Sequence, residues 1–311
     1  MSFSTDVKKE LTQLPATTGT LLGLIRMSGS LGLTADGLTL SVSTENAAIA
    51  HYIYQMLDEL FDRQAEIRVR QKENLAKNHV YSVFLADNVD DLLDELSLTD
   101  GLMGTAELPE IVRLDRHMAR DYLRGVFLSA GSVANPQAGN YQLELTTVYQ
   151  SQALELQGLL TDFDLTARLS EHKERFILYL TRADEIANFL TLIGAMQARL
   201  RFEDAKIIRE MRGLANRQAN FESANISKSI TAAQDVIAAI HQLTVDKKLP
   251  AELTDIAKLR LSFPEASLTE LGQMMTPPLG KSGVAHRLRK IKSIPSGVFN
   301  NSFCAIFCYI Y

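Results

Sequence analysis

Two segments of the chain repeat each other at a fixed offset. LLGLIRMSGSL runs from Leu21 to Leu31 and YLRGVFLSAGSV from Tyr122 to Val133. Gly23, Gly29 and Ser30 of the first stand against Gly125, Gly131 and Ser132 of the second. The residues C-terminal to each segment also match. LTLSVST (Leu38–Thr44) parallels YQLELTT (Tyr141–Thr147), and both alternate as strands do. YQMLDELF (Tyr54–Phe61) parallels LQGLLTDF, and VYSVFLAD (Val80–Asp87) parallels RFILYLTRAD. Each unit reads as helix, two strands, helix, two strands, helix. Two copies of such a unit predict a pseudo-twofold α+β body, each four-stranded antiparallel sheet burying one face under its helices. Gly23 and Gly125 lack a Cβ and mark the expected point of close backbone approach between the copies.

Charge divides the chain in a second way. Of its 311 residues, 22% are charged and 46% hydrophobic, the balance of a globular protein. The net charge of −5 conceals an asymmetry. Ala205 to Lys292 holds 14 basic and 8 acidic residues; the first 204 residues hold 18 basic and 29 acidic ones. A basic C-terminal third behind an acidic body predicts a local surface for a polyanion. The longest apolar stretch, Phe189 to Ala198, is interrupted by Thr191 and Gln197 and is far short of the ~20 residues that span a bilayer. The N-terminus carries acids and has no apolar core, so it does not read as a secretory signal. Cys304 and Cys308, the two cysteines, both lie near the end of the chain. That excludes a disulfide framework and predicts a cytoplasmic location.

The basic third opens with AKIIREMRGLANRQANFESANISKSI, residues 205–230. Ile207, Ile208 and Met211 share a helical face; Arg209, Arg212, Asn216, Arg217, Asn220, Asn225 and Lys228 come after them. Asparagine is a poor interior helix former, so the stretch predicts specific hydrogen bonding or a broken helix. Further on, Ser267 and Glu270 have capping-box spacing ahead of Leu268, Leu271, Met274 and Met275. Pro277, Pro278 and Gly280 break the chain. Ser282 is the expected cap of a second helix that keeps Val284, Leu288 and Ile291 on one side and His286, Arg287, Arg289 and Lys290 on the other. Helix, turn, basic helix is the helix-turn-helix pattern, whose second helix enters the major groove. Gly280-Lys281-Ser282 imitates the end of a P-loop, but Met275 occupies the position of its first glycine. The six histidines form no metal-ligand cluster, and no cofactor is expected.

The repeated segments, LLGLIRMSG and LRGVFLSAG, resemble the LAGLIDADG motif of homing endonucleases. In those enzymes an acidic residue just before the final glycine of each motif holds a divalent metal, and here those positions are Ser28 and Ala130. The resemblance therefore implies the fold without the nuclease chemistry, which needs hard oxygen ligands. Asp36 is the acid nearest the first motif. The strands of the nucleases form a saddle over DNA, where Arg68, Arg70, Lys72, Lys77, Arg168, Lys173 and Arg175 are the basic candidates.

The whole chain resembles the WhiA family of bacterial DNA-binding regulators. SFSTDVKKEL, NRQANFESANISKS and SLTELGQMM…GKSGVAHRLRKI carry that likeness. It implies an α+β fold: a tandem LAGLIDADG-like body followed by an all-α helix-turn-helix domain. The expected domains are residues 1–97 and 98–203 for the two repeats, 204–230 for an Arg/Asn-rich linker, and 231–292 for the DNA-binding domain. An apolar tail, 293–311, departs from the family and reads as a shifted frame near Lys292. The implied function is sequence-specific DNA binding in cell division and chromosome segregation, or sporulation, by a nucleoid-associated cytoplasmic protein that is no enzyme. Double-stranded DNA is the expected partner, with a regulatory protein as a second one; neither a membrane nor a small-molecule substrate is expected. The DNA-binding candidates are Ser267, Thr269, Lys281, Ser282, Gly283, Ala285, His286, Arg287, Arg289, Lys290 and Lys292, with Arg212, Asn216, Arg217, Asn220 and Asn225 of the linker. The rival readings are a scaffold whose acidic body recruits a partner and an active metal-dependent endonuclease.

Overall fold

The computed structural model describes residues 2–35, 37–71, 79–98 and 107–295. Asp36, Lys72, Lys77 and most of the tail, with both cysteines, lie outside the described residues. The chain forms two compact units that meet between Met211 and Arg212.

The first unit opens with α1 (Phe3–Leu11), whose Val7 and Leu11 are buried. The first repeat comes next as α2 (Thr18–Ser28), β1 (Gly29–Thr34), β2 (Gly37–Thr44), α3 (Ala47–Phe61), β3 (Glu66–Gln71), β4 (His79–Leu85) and α4 (Val89–Glu95). After the short α5 (Glu110–Leu114) the second repeat runs as α6 (Arg116–Ala130), β5 (Gly131–Val133), β6 (Leu143–Thr147), α7 (Gln150–Thr161), β7 (Arg168–His172), β8 (Arg175–Leu180) and α8 (Ala183–Leu192). Both antiparallel sheets have the same order, β1-β2-β4-β3 and β5-β6-β8-β7. The expected repeat is therefore present in full.

Alternation explains which face of each sheet is buried. Leu40 and Val42 of β2, with Val83 and Leu85 of β4, point into the core; Leu143, Leu145, Leu178 and Leu180 do so in the second sheet. Ser41, Ser43 and Ser82 occupy the opposite face of the first sheet, and Ser41 and Ser82 hydrogen-bond at 2.5 Å. The two motif helices α2 and α6 pack directly on each other, with Gly23 against Gly125.

Buried arginines reinforce this contact. Arg26 of α2 donates to the Tyr122 hydroxyl at 3.3 Å and to Glu155 of α7 at 3.2 Å. Glu155 in turn accepts from the Leu108 backbone N–H at 2.9 Å. Arg124 of α6 donates to the Ile193 carbonyl at 2.8 Å and to the Thr20 hydroxyl at 3.3 Å. A buried guanidinium is tolerated only when its donors are engaged, and both span the two repeats.

A 50-residue helix, α9 (Met196–Val245), carries the chain from the first unit into the second. Glu10 of α1 caps its start: the carboxylate accepts from the backbone N–H groups of Gln197 and Ala198 at 2.7 and 2.8 Å. Residues 205–230 are helical throughout, so of the two alternatives the asparagines offered the broken helix does not occur. The asparagines there are exposed, where water satisfies their amides and each costs the helix only a few tenths of a kcal/mol.

The second unit is all helical. Val236, Ile240 and Leu243 of α9 are buried with Ile256 and Ala257 of α10 (Thr254–Ser262), Leu271 of α11 (Leu268–Gln273), and Val284, Leu288 and Ile291 of α12 (Lys281–Ser293). Among the described residues no helix is long and apolar enough to cross a membrane.

Candidate nucleic-acid interface

The Ser267 capping box is present as expected. The Glu270 N–H donates to Ser267 Oγ at 3.3 Å, and the Ser267 N–H donates to the Glu270 carboxylate at 2.7 Å. That bond holds the Glu270 carboxyl below the usual carboxylate range. Of the expected apolar stripe, Leu271 and Met275 are buried, but Met274 is 46% exposed because the helix has ended at Gln273. The connection to α12 folds back over α11: the Leu279 N–H donates to the Gly272 carbonyl at 2.9 Å. A Cβ on Gly272 would stand 2.1 Å from the Leu279 carbonyl oxygen, so only glycine admits this turn.

The start of α12 differs from the expected one. Gly280, in extended conformation, is the N-cap, and Ser282 lies within the first turn. Glycine brings no side-chain oxygen, so the first N–H groups of α12 have no side-chain cap. Val284, Leu288 and Ile291 are buried, as the spacing required. Ser282, His286 and Arg289 are exposed and fall on one stripe with half-buried Ala285. Lys281 is exposed at the helix start, where the macrodipole adds positive character. Gly283 and Arg287 are half-buried.

Two of the lysines have partners inside the unit. Lys290 pairs with Glu252, and Lys292 with Asp235 of α9 at 2.8 Å. The Glu252 carboxyl is held below its usual range, chiefly by the Lys290 hydrogen bond and charge, with a smaller contribution from Arg287. These lysines brace α12 against its neighbours, whereas His286 and Arg289 project from the stripe. Ser267 and Thr269 are exposed at the start of α11.

Arg212, Asn216 and Asn220 lie on successive turns of α9, on one face; Arg217 and Asn225 lie further round the same helix. All five are exposed. The sequence pattern thus becomes one three-residue stripe, with Arg217 to one side of it and Asn225 on the opposite face of the helix, not a single row.

One structural residue gave no sign in the sequence. Arg260 is 3% exposed and donates to the carbonyls of Pro264 and Ala266 at 3.1 and 2.8 Å, which holds the loop that delivers Ser267. Burial pushes its pKa down. An arginine four residues before a proline carries no sequence signal for such a role.

In the first unit, Ser28 and Ala130 stand at the C-terminal ends of α2 and α6 and line one open cleft of about 1400 Å³. Ser28 donates its hydroxyl back to the Leu24 carbonyl at 2.9 Å, and Ala130 brings no ligand oxygen. Among the described residues no group of three histidine, cysteine or acidic side chains is placed to hold a metal. Arg68 and Arg70 of β3 are exposed, but Arg68 bonds Glu66 and stacks 3.4 Å from the Phe84 ring centre. Arg168 and Arg175 are exposed on β7 and β8, and Lys173 sits in the left-handed turn between them.

Three family sequence models cover most of the chain. The WhiA N-terminal LAGLIDADG-like domain matches residues 17–99, the WhiA LAGLIDADG-like domain residues 119–212, and the WhiA C-terminal HTH domain residues 215–295. The chain belongs to the WhiA family. A Lactococcus lactis subsp. cremoris relative, named "Probable cell division protein WhiA", is 59% identical over 94% of this chain and 96% of its own length. A Streptococcus sanguinis relative of the same name is 44% identical over 94% of this chain and 99% of its own. The full-length DUF199/WhiA crystal structure from Thermatoga maritima has a TM-score of 0.60 at 24% identity, covering 94% of this chain and 98% of that one, and so shares the fold. The WhiA assignment fixes the two sheets as a LAGLIDADG-like body and α10 to α12 as part of the HTH domain. Such a domain is a DNA-binding element.

Proposed function

We propose that this WhiA-family protein is a sequence-specific DNA-binding regulator, acting in the cytoplasm on the nucleoid in cell division and chromosome segregation. The observation that carries the reading is the exposed stripe of α12: Ser282, Ala285, His286 and Arg289 on a helix whose opposite face is fixed in a core. A helix so held enters the major groove with its N-terminal half against base edges. Lys281 and the open N–H groups behind Gly280 are suited to backbone phosphate, as are Ser267 and Thr269 at the start of α11. Arg287 supplies further positive charge. Lys290 and Lys292 act through the packing of α12, and Gly283 allows close approach. The stripe Arg212, Asn216, Asn220, with Arg217 to one side, is suited to phosphate and base edges, and Asn225, on the opposite face of α9, is suited to a separate polar contact.

In this reading residues 1–97 and 98–203 are the two repeats of a body that has lost nuclease chemistry, and residues 231–292 read DNA. The linker of 204–230 is part of α9. Loss of cleavage is supported by Ser28, whose hydroxyl is turned to Leu24, and by Ala130. Metal-assisted phosphodiester hydrolysis needs carboxylate oxygens at such positions.

Incubation of the full chain with supercoiled DNA and magnesium, followed by gel analysis and by a binding titration of the same DNA, tests both halves. The expected result is retarded but uncut DNA. Nicked or linear product would overturn the loss of nuclease activity, and failure to retard any DNA would overturn the binding.

A further inference from the structure

The cleft lined by Ser28 and Ala130, the positions where a metal-binding nuclease needs acids, is lined also by a cation. Lys8 comes from α1, next to buried Val7, and lines this cleft. Its stem is covered by the fold, and its ammonium group lies 5.9 Å from the centre of the Phe127 ring. Among the described residues no carboxylate is paired with it, and burial of the ammonium sets its pKa at about 8. A desolvated charge without a counter-ion costs stability, and the fold accepts that cost here.

The surroundings fit an anion. Arg175, exposed at the start of β8, lines the same cleft. So do Ser28, Ser30, Ser129 and Ser132. The hydroxyls of Ser28 and Ser30 are donated to the Leu24 and Ser41 carbonyls, which leaves Ser129 and Ser132 as the hydroxyl donors of this wall. Glu45 is the carboxylate in the lining. A divalent cation is the wrong ligand for a wall of this charge. An oxyanion with several acceptor oxygens meets the ammonium of α1 together with the guanidinium and hydroxyl donors of the second repeat.

We propose that this cleft is an anion site for a phosphate-bearing ligand, with Lys8 and Arg175 supplying the charge and Ser129 and Ser132, at the end of α6 and the strand beyond it, supplying hydrogen bonds. The site lies wholly within the first unit and stands whether or not α12 reads DNA. Its ligand is a phosphate group of a free small molecule or of a nucleic-acid backbone.

Calorimetric titration of the full chain with inorganic pyrophosphate tests it. The wild type is expected to bind one equivalent, Lys8→Arg to retain binding, and Lys8→Met to lose about tenfold or more in affinity. Lys8→Met keeps the packed stem, and a melting curve confirms that it folds. Arg175→Ala, at an exposed strand end, is expected to lose about threefold and serves if Lys8→Met does not fold. A short DNA duplex added to the pyrophosphate complex separates the two sources: displacement identifies backbone phosphate, and retention identifies a free phosphate-bearing molecule. Absence of saturable pyrophosphate binding, or unchanged affinity in the Lys8→Met and Arg175→Ala variants, would overturn the proposal.

Discussion

Gly23 of α2 and Gly125 of α6 meet Cα against backbone at the pseudo-twofold axis of the LAGLIDADG-like body. A Cβ on Gly23 would stand 2.3 Å from the Tyr122 carbonyl oxygen, and one on Gly125 would stand 2.1 Å from that of Thr20. Backbone on both sides leaves no flexible side chain to yield.

Gly23→Ala and Gly125→Ala are therefore each expected to destabilise the body by about 3 kcal/mol or more, through overpacking. Helix propensity alone would make the same change favourable by about 1 kcal/mol. Gly158, exposed in α7 with no atom within 4 Å of its would-be Cβ, is the control: Gly158→Ala should stabilise. Denaturant midpoints of the three variants check the opposite signs.

Arg260→Met should lower the stability of the second unit by about 2–4 kcal/mol. It removes the charge-assisted donors to Pro264 and Ala266 and leaves two carbonyls of that loop unpaired. Unfolding monitored by hydrogen exchange should show the loss in α10 to α12 and leave the core of the body protected.

Lys8 gives the body a pH dependence of definite sign. Its pKa is lowered by burial from 10.5 to about 8, so the folded state binds the proton more weakly than the unfolded chain does. The penalty is fully present below pH 8 and disappears as the pH rises towards 10.5, and stability increases over that window. Lys8→Met should be the more stable protein at pH 7, by about 2 kcal/mol, and should flatten the profile. Melting temperatures from pH 7 to 10.5 in both proteins are the measurement.

Arg287 and Arg289 should appear in the salt dependence of DNA binding. Each phosphate contact contributes about −0.9 to the slope of log affinity against log salt. Replacing both with alanine should make the slope shallower by about 2, and an unchanged slope would remove them from the interface.

The repeat, the succession of helices and strands along it and the buried face of α12 were legible because each rests on spacing. Alternation set the sheets, Val284, Leu288 and Ile291 set the inner side of the helix, and Gly23 with Gly125 marked the contact at the axis. Three features were not legible, for separate reasons. The asparagines of α9 argued for a break, but propensity is a sum of small terms and the solvated helix absorbs them. Ser282 looked like a cap, but Gly280 takes that place, because the fold of Leu279 over Gly272 decides where the helix begins. Arg260 and Glu10 act on backbone groups that folding alone brings near, and no spacing rule announces such partners.

In the proposed function the second unit reads a DNA sequence through the exposed stripe of α12. Selection of genomic fragments by the purified full chain, beside a His286→Ala/Arg289→Ala variant, tests it most directly. Enrichment of one defined motif by the wild type and its loss in the variant, with the melting temperature unchanged, is the expected outcome. Fragments recovered without a common motif by the wild type, or the same motif recovered by both proteins, would contradict it.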